Sequence, residues 1–462
     1  MSYWIENMLN SKPIDWRSKA DEFLGYVFDE KNQVMHRTDN GHVHFTAFIE
    51  GSGCELITYG GIIVGKLLRG EDVQELLPSL EDYYSENYGI YQNGVGDKKS
   101  EYWYLMHVNA LAATITRLAL MDNKNAVNRL RSSMDRLIQI AHQNNYSFND
   151  QGYDFENAQP WTKLDAFRQP DTIGAYAYLM EFAYELFGEE AYQSEARAAM
   201  QNYTSFEVNP WYEIPSGAMA CLAAAKLNDG GATFPLDKVV QFALDPEFGS
   251  LHEGTWGNAA IDGLMRGWRG HSREEASSMA YSFETFVLVP YLLPVARYDA
   301  RFAKRIGRYL LHAAINARLF YGNFHSKEAQ GRPDLSHLVP YEALHHERDG
   351  HSPYATGDFH GQKSVYGGAY TLWWGEIIRP TSDSYVLELD VTKTDFLTHN
   401  VKPTKMYYNP YQHDLDVTVH VGTRPVNVVT LGGVYLHKKV TGAVQLSLKA
   451  DSVTFVQLEV CV

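Results

Sequence analysis

The sequence predicts a mainly α protein: an (α/α)6 toroid of six helical hairpins over residues 1–380, followed by a small C-terminal antiparallel β-domain over 381–462. Three observations carry this prediction. Helical segments alternate between charged amphipathic and apolar small-residue character, so one set faces water and the other is buried. Every long connection leads from a charged helix into an apolar one, whereas the return connections are short, as between antiparallel neighbours. After Arg379-Pro380 the helical period gives way to alternation of period two.

In chain order, residues 14–29 are amphipathic with charges on one side, and 53–69 are mostly apolar and small. Residues 71–87 are charged and amphipathic, and 100–121 are apolar again. Segment 123–143 carries Arg129, Arg131, Asp135 and Arg136. An apolar, aromatic stretch at 171–187 precedes a charged one at 188–202. An Ala-rich stretch at 215–227 precedes an amphipathic one at 235–245. Residues 274–293 end in a long apolar run, 299–318 carry Arg301, Lys304, Arg305 and Arg308, and 364–378 are Gly-rich, apolar and aromatic. Two concentric rings bury the apolar set and leave the charged set outside. Gly60, Gly61, Gly65, Ala110, Ala112, Ala113, Gly217, Ala218, Ala220, Gly367 and Gly368 are the small residues expected where inner helices crowd the axis. A fixed-length repeat with a shared consensus is absent, which argues against a solenoid. Strands are expected at 385–391, 416–421, 426–429, 444–448 and 453–460.

In such a ring the long loops 30–52, 88–99, 144–170, 203–214, 246–273 and 319–363 emerge on one face, over the N-termini of the inner helices. Free N–H groups and the positive dipole end favour anionic groups there. Loop 319–363 reads as structureless but ordered, because it is rich in aromatics. Function is expected on this face.

Composition narrows the function. A formal net charge of -16 argues against binding a phosphate backbone. Cys54, Cys221 and Cys461 are far apart and match no zinc spacing. The histidines near His345 have no zinc signature either, so neither metal nor other cofactor is expected. The first residues lack a basic start and an apolar run, and nothing is long and uncharged enough to span a bilayer. The expectation is a cytoplasmic protein without nucleic-acid or membrane partners.

Aromatics reach 13%, and the long loops mix rings with carboxylates, amides and guanidinium groups. That mixture suits sugars, whose apolar face stacks on indole or phenol and whose hydroxyls meet polar groups. Glycoside hydrolysis needs one protonated and one ionised carboxyl. Candidates are Asp171, Asp262, Glu284, Glu342 and Asp358. Against these stand a helix cap for Asp171, a buried ion pair for Glu284 and turn chemistry for Asp262 and Asp358. Trp161, Trp211, Trp256 and Trp268 are candidate stacking rings, and Arg168, Arg269 and Arg348 candidate holders of a uronate carboxylate. His44, Tyr281, His345, His346 and His360 complete the expected substrate-binding set.

The hairpin order over residues 14–380 resembles the six-hairpin (α/α)6-toroid superfamily of carbohydrate-active enzymes, and the tail resembles the β-domain that often follows such toroids. Val339-Pro340-Tyr341-Glu342, Ser352-Pro353-Tyr354-Ala355-Thr356-Gly357-Asp358 and Gly257-Asn258-Ala259-Ala260-Ile261-Asp262-Gly263-Leu264 are similar to segments of bacterial members. The resemblance implies glycosidase or lyase activity, with uronyl and glucuronyl hydrolases a neighbouring group. The leading expectation is a glycoside hydrolase acting on oligosaccharides that include uronates. Its alternatives are a lyase using Tyr or His with Arg, and a non-catalytic sugar-binding protein.

Overall fold

The computed structural model describes residues 11–51, 53–268, 277–357, 362–399 and 401–461. Expected segments and residues at 269–276, 358–361, 400 and 462 lie outside them.

The apolar helices close into a ring. Helices α2 (Leu56–Leu68), α3 (Tyr102–Ile115), α5 (Thr172–Phe187), α7 (Ile214–Asp229), α9 (Ser282–Leu292) and the broken pair α11 (Val365–Ala369) and α12 (Thr371–Ile377) form it. Each packs on the next, and α11 packs back on α2. Outside them lie α1 (Trp16–Val27), α4 (Lys124–Gln143), α6 (Glu190–Ser205), α8 (Leu236–Ala243) and α10 (Ala303–Asn316). The sixth outer position, expected to be a helix over 71–87, is a 3-10 turn at Leu77–Tyr83 with Pro78 in its first turn. Proline suits a turn start but ends any helix running into it.

Outer and inner helices differ as their sequences require. Asn123 caps α4 by accepting from the N–H groups of Asn125 and Ala126, and α4 buries Leu130, Met134, Leu137, Ile140 and Ala141 at helical spacing. Inner α2 is buried almost throughout. Its glycines meet both ring neighbours. A Cβ on Gly60 would lie 2.9 Å from Leu111 Cβ of α3, and one on Gly65 would lie 2.5 Å from Leu372 Cβ of α12.

Two small sheets crown the ring, where the sequence shows no strand period. One joins β1 (Lys99–Glu101), β2 (Gly152–Asp154) and β3 (Gln159–Trp161). The other joins β4 (Met279–Tyr281), β5 (Ala343–His345) and β6 (Tyr354–Thr356), so loop 319–363 carries two strands. β1 runs directly into α3 and β4 directly into α9, which fixes what stands at those two helix starts.

The C-terminal region is antiparallel. Strands β7 (Ile378–Pro380), β8 (Leu387–Asp390), β9 (Thr404–Asn409), β10 (Leu415–His420), β11 (Val426–Thr430), β12 (Tyr435–Val440), β13 (Ala443–Leu448) and β14 (Ser452–Val460) compose it. Six pair in the order β7-β8-β9-β14-β11-β12, while β10 pairs with β13. The sequence reading finds β8, β10, β11, β13 and β14 but not β7, β9 or β12; in β9, Thr-Lys-Met-Tyr-Tyr-Asn is buried at nearly every position and does not alternate. Val417, Val428, Leu446, Leu448 and Val456 form a core of this region's own. Leu389, Phe396, Leu397 and Met406 instead join the core of the toroid.

Candidate active site

The residues just before four of the inner helices are acidic. Glu55, Glu101, Asp171 and Glu213 stand just before α2, α3, α5 and α7, and none of them caps its own helix. Glu284 lies in the first turn of α9. The N-terminal dipole ends favour negative charge, and the ring gathers several such ends around one axis.

A cavity of about 300 Å³ opens there. Glu101, Glu213, Glu284 and Glu342 line it, with Gln151 and Lys163 as further polar groups. Its rings form two walls. Phe283 lies 6.0 Å from Trp103 and 5.4 Å from Tyr366, centroid to centroid. Trp268 lies 5.7 Å from Phe167 and 6.3 Å from Tyr212. Tyr104 and Tyr281 complete the lining.

Each carboxyl is held differently. Glu101 accepts from Gln151 Nε2 at 2.9 Å, Gln169 Nε2 at 2.7 Å and Trp103 Nε1 at 3.2 Å. Gln169 in turn accepts from the Trp103 N–H at 2.9 Å, and Gln151 from the Lys163 N–H at 3.1 Å. Glu342 is pinned through its backbone: its N–H donates to Gln362 and its carbonyl accepts from Ser282, both at 2.9 Å. Its Oε1 accepts from Tyr366 Oη at 3.2 Å. Glu213 is buried. Burial, then the charges of Glu284, Glu101 and Asp171, and a hydrogen bond with Glu284 push its carboxyl well above the ordinary carboxylate range. The protonated form of Glu213 is thereby favoured beside Glu284. Burial and the surrounding glutamates likewise raise the phenols of Tyr104 and Tyr366.

Of the residues singled out from sequence, Glu284, Glu342, Trp268 and Tyr281 line this cavity. Asp171 lies beneath it. Its Oδ2 accepts from the backbone N–H groups of Tyr212 at 2.8 Å and Glu213 at 3.2 Å, so it caps the entry to α7 rather than its own helix. Asp262 lines a different cavity, beside His312. His44 is bonded to Tyr83 Oη at 2.9 Å and Asp82 at 3.0 Å. Trp161 ends β3, with Lys99 Nζ 6.0 Å from its ring centroid.

Arg168 pairs with Asp150 at 2.9 Å and Asp165 at 3.0 Å. Trp211 is buried and donates to the Phe248 carbonyl at 2.9 Å. Trp256 is buried edge-on between His252 and His346. His345 pairs in β5 with Met279 and Tyr354. Arg348 is exposed, 5.5 Å from the Tyr354 ring. Arg269, Asp358 and His360 lie outside the described residues. Sequence reasoning missed Glu101 and passed over Glu213 as a catalytic candidate. The signal was present: a carboxylate one residue before each of several apolar helices.

A closed inner ring inside an outer layer, with its cavity over the inner-helix N-termini, is an (α/α)6-toroid fold. Among solved structures, a cellobiose 2-epimerase from Bacillus thermoamylovorans superposes with a TM-score of 0.53 at 7% identity, over 78% of this chain and 98% of its own. A cellobiose 2-epimerase from Spirochaeta thermophila gives 0.50 at 11%, over 78% and 96%. A family 76 glycoside hydrolase from a bovine Bacteroides thetaiotaomicron strain gives 0.50 at 11%, over 79% and 77%. No protein-family model matches the chain, and no curated protein is similar to it in sequence.

Proposed function

We propose that the chain is a carbohydrate-processing enzyme, and specifically a glycoside hydrolase acting on neutral oligosaccharides. The observation that carries this reading is the hydrogen-bonded carboxyl pair Glu213 and Glu284, lining an aromatic-walled cavity with Glu101 and Glu342. Glu213 is the general acid, keeping its proton for the leaving glycosidic oxygen. Glu101, oriented by three N–H donors, is the basic partner at the anomeric carbon or its attacking water. Glu342 and Tyr366 hold ring hydroxyls, and the two aromatic walls stack the sugar faces.

Substrate charge follows from the lining. Among the described lining residues one cation, Lys163, faces four carboxyls. A uronate would enter against that field, and Arg168 is already paired with two aspartates. This supports a neutral sugar over the uronate expected from sequence, and it disfavours a lyase, which must neutralise a uronate carboxylate. Epimerisation, the activity in the names of two fold neighbours, takes a proton from carbon beside a carbonyl.

The test is turnover of a panel of neutral disaccharides and aryl glycosides. Bond cleavage with new reducing ends is expected, and Glu213→Gln should lower kcat by about 10²–10⁴-fold. A rearranged sugar without cleavage would replace this reading with an isomerase. Near-ultraviolet absorbance would indicate elimination, and saturable binding with no product a non-catalytic receptor.

A further inference from the structure

The hairpin of β11 and β12, at one edge of the C-terminal sheet, ends in a bare apolar tip. Its turn is Leu431-Gly432-Gly433-Val434. The Thr430 N–H donates to the Val434 carbonyl and the Gly433 N–H to the Thr430 carbonyl, both at 2.9 Å. The root of the hairpin is fixed, because Val426 and Val428 are buried in the core of this region. Every residue over 431–436 is exposed. Leu431 is 51% exposed, Val434 62%, Tyr435 48% and Leu436 42%. Single exposed apolar residues are ordinary, but these sit side by side around one turn.

Charge is distributed unevenly about this tip. Residues 417–450 hold no carboxylate side chain and carry Arg424, Lys438, Lys439 and Lys449, in a chain of formal net charge -16. Lys449 is paired with Asp414 at 2.6 Å, and Glu459 on the neighbouring strand β14 is paired with Lys402 at 2.8 Å. Lys438 and Lys439 are exposed and follow the apolar run almost directly. Lys438 Nζ stands 4.6 Å from the centroid of the Tyr435 ring. At about 3.3 Å per strand residue, the two lysines lie roughly 10 Å behind the tip. His437 is tied down instead, bonded to the Gln445 carbonyl of β13 at 2.7 Å.

We propose that this hairpin docks on an anionic lipid surface, its tip entering the headgroup layer and Lys438 and Lys439 meeting the headgroup charges. Complementary charge favours an anionic surface at this end of an otherwise acidic chain. Depth agrees: an apolar element of this kind sinks about 5–10 Å into the boundary of headgroups and acyl chains, which sets the lysines at headgroup level and Tyr435 between the two phases. Apolar side chains all round a turn suit a fluid that closes about them, where a rigid surface would cover one side. Strand addition by a second copy is disfavoured. β12 is the edge strand of its sheet, but its pairing with β11 shifts register twice, and bulges and exposed lysines obstruct a further strand. The sequence expectation of no membrane partner rested on the lack of a spanning segment, which this contact does not need. The proposal does not depend on the activity assigned to the central cavity.

The experiment is co-sedimentation of the full chain with two kinds of vesicle, phosphatidylcholine alone and phosphatidylcholine mixed with phosphatidylglycerol. Binding to the mixed vesicles and far weaker binding to phosphatidylcholine alone are expected. The double variant Val434→Ser, Leu436→Ser should weaken binding to the mixed vesicles by roughly tenfold or more, through lost apolar insertion. Lys438→Gln, Lys439→Gln should weaken it by roughly tenfold or more through lost charge, and gives a second reading if the first variant misfolds. No binding to mixed vesicles, equal binding to both kinds, or wild-type binding by either folded variant would overturn the proposal. Concentration-dependent dimerisation without lipid, abolished by the tip substitutions, would also overturn it and assign the tip to a second copy.

Discussion

Glu213 has to hold a proton under conditions where an exposed glutamate has lost it, and its burial beside Glu284 supplies the reason. Its folded-state affinity for the proton exceeds that of the unfolded chain. Stability from this group is therefore complete below the ordinary value of 4.5 and is lost as pH rises through the raised folded value. Glu213→Gln should flatten that part of the Tm-against-pH curve. Wild-type activity should fall along the same alkaline limb, and the residual activity of the variant should not. Asp171 acts one step back, through the backbone. Asp171→Ala removes the acceptor of two buried N–H groups and should cost about 1–3 kcal/mol of stability, with Asp171→Asn milder because one carbonyl oxygen remains. Chemical denaturation of both variants checks this. The same residues explain what sequence could reveal of the site. Glu284 stands out in a sequence because a carboxylate inside an apolar run needs a reason. Glu101 and Glu213 do not, because an acidic residue before a helix reads as an ordinary start. Only ring closure, which joins helix starts from Leu56 to Val365, shows that these residues face one another.

At the scale of elements, inner-ring spacing is set by particular glycines. A Cβ added to Gly65 of α2 would lie 2.5 Å from Leu372 Cβ, and one added to Gly174 of α5 would lie 2.6 Å from Ala220 Cβ. Alanine at either position forces two buried helices apart and should cost about 1–3 kcal/mol. Gly217 of α7 has room: the nearest atom to its added Cβ is Tyr203 Oη at 3.8 Å. Gly217→Ala should therefore be neutral or stabilise by up to ~1 kcal/mol through helix propensity. Thermal unfolding of the three variants checks both signs. From sequence these glycines look alike, because a helical period gives the face but not the partner across it. The same limit hides the crowning strands. Segments as short as Ala343–His345 acquire strand geometry from pairing with Met279–Tyr281 and Tyr354–Thr356, not from an alternation of their own.

For the whole molecule, the question is whether the toroid and the C-terminal sheet unfold together. Phe396 and Leu397 lie in the core of the toroid, and Phe396 meets the Trp373 ring edge-on at 5.9 Å. The polar contacts around them are directional. Arg117 donates to the carbonyls of Phe396 and Thr398. Thr394 donates to the Pro290 carbonyl at 2.7 Å, in the last turn of α9, a carbonyl that Pro294, four residues on, has no N–H to bond. Asp395 receives Arg297, and Tyr298 Oη at 2.8 Å. Glu376, at the end of α12, gathers Arg17 from α1 and Lys393 from the sheet region. Apolar and ionic contacts thus cross the junction at several points, so a single unfolding transition is expected, seen alike by near-ultraviolet circular dichroism and calorimetry. Asp395→Ala leaves Arg297 without its partner at a site where that side chain keeps only 20% exposure. The loss should fall at the lower end of the ~3–5 kcal/mol seen when one member of a buried pair is removed. If the two regions are coupled as these contacts require, that variant lowers the one transition without splitting it. Two separable transitions in the wild type would mean that the junction holds the regions in place without making them fold as one.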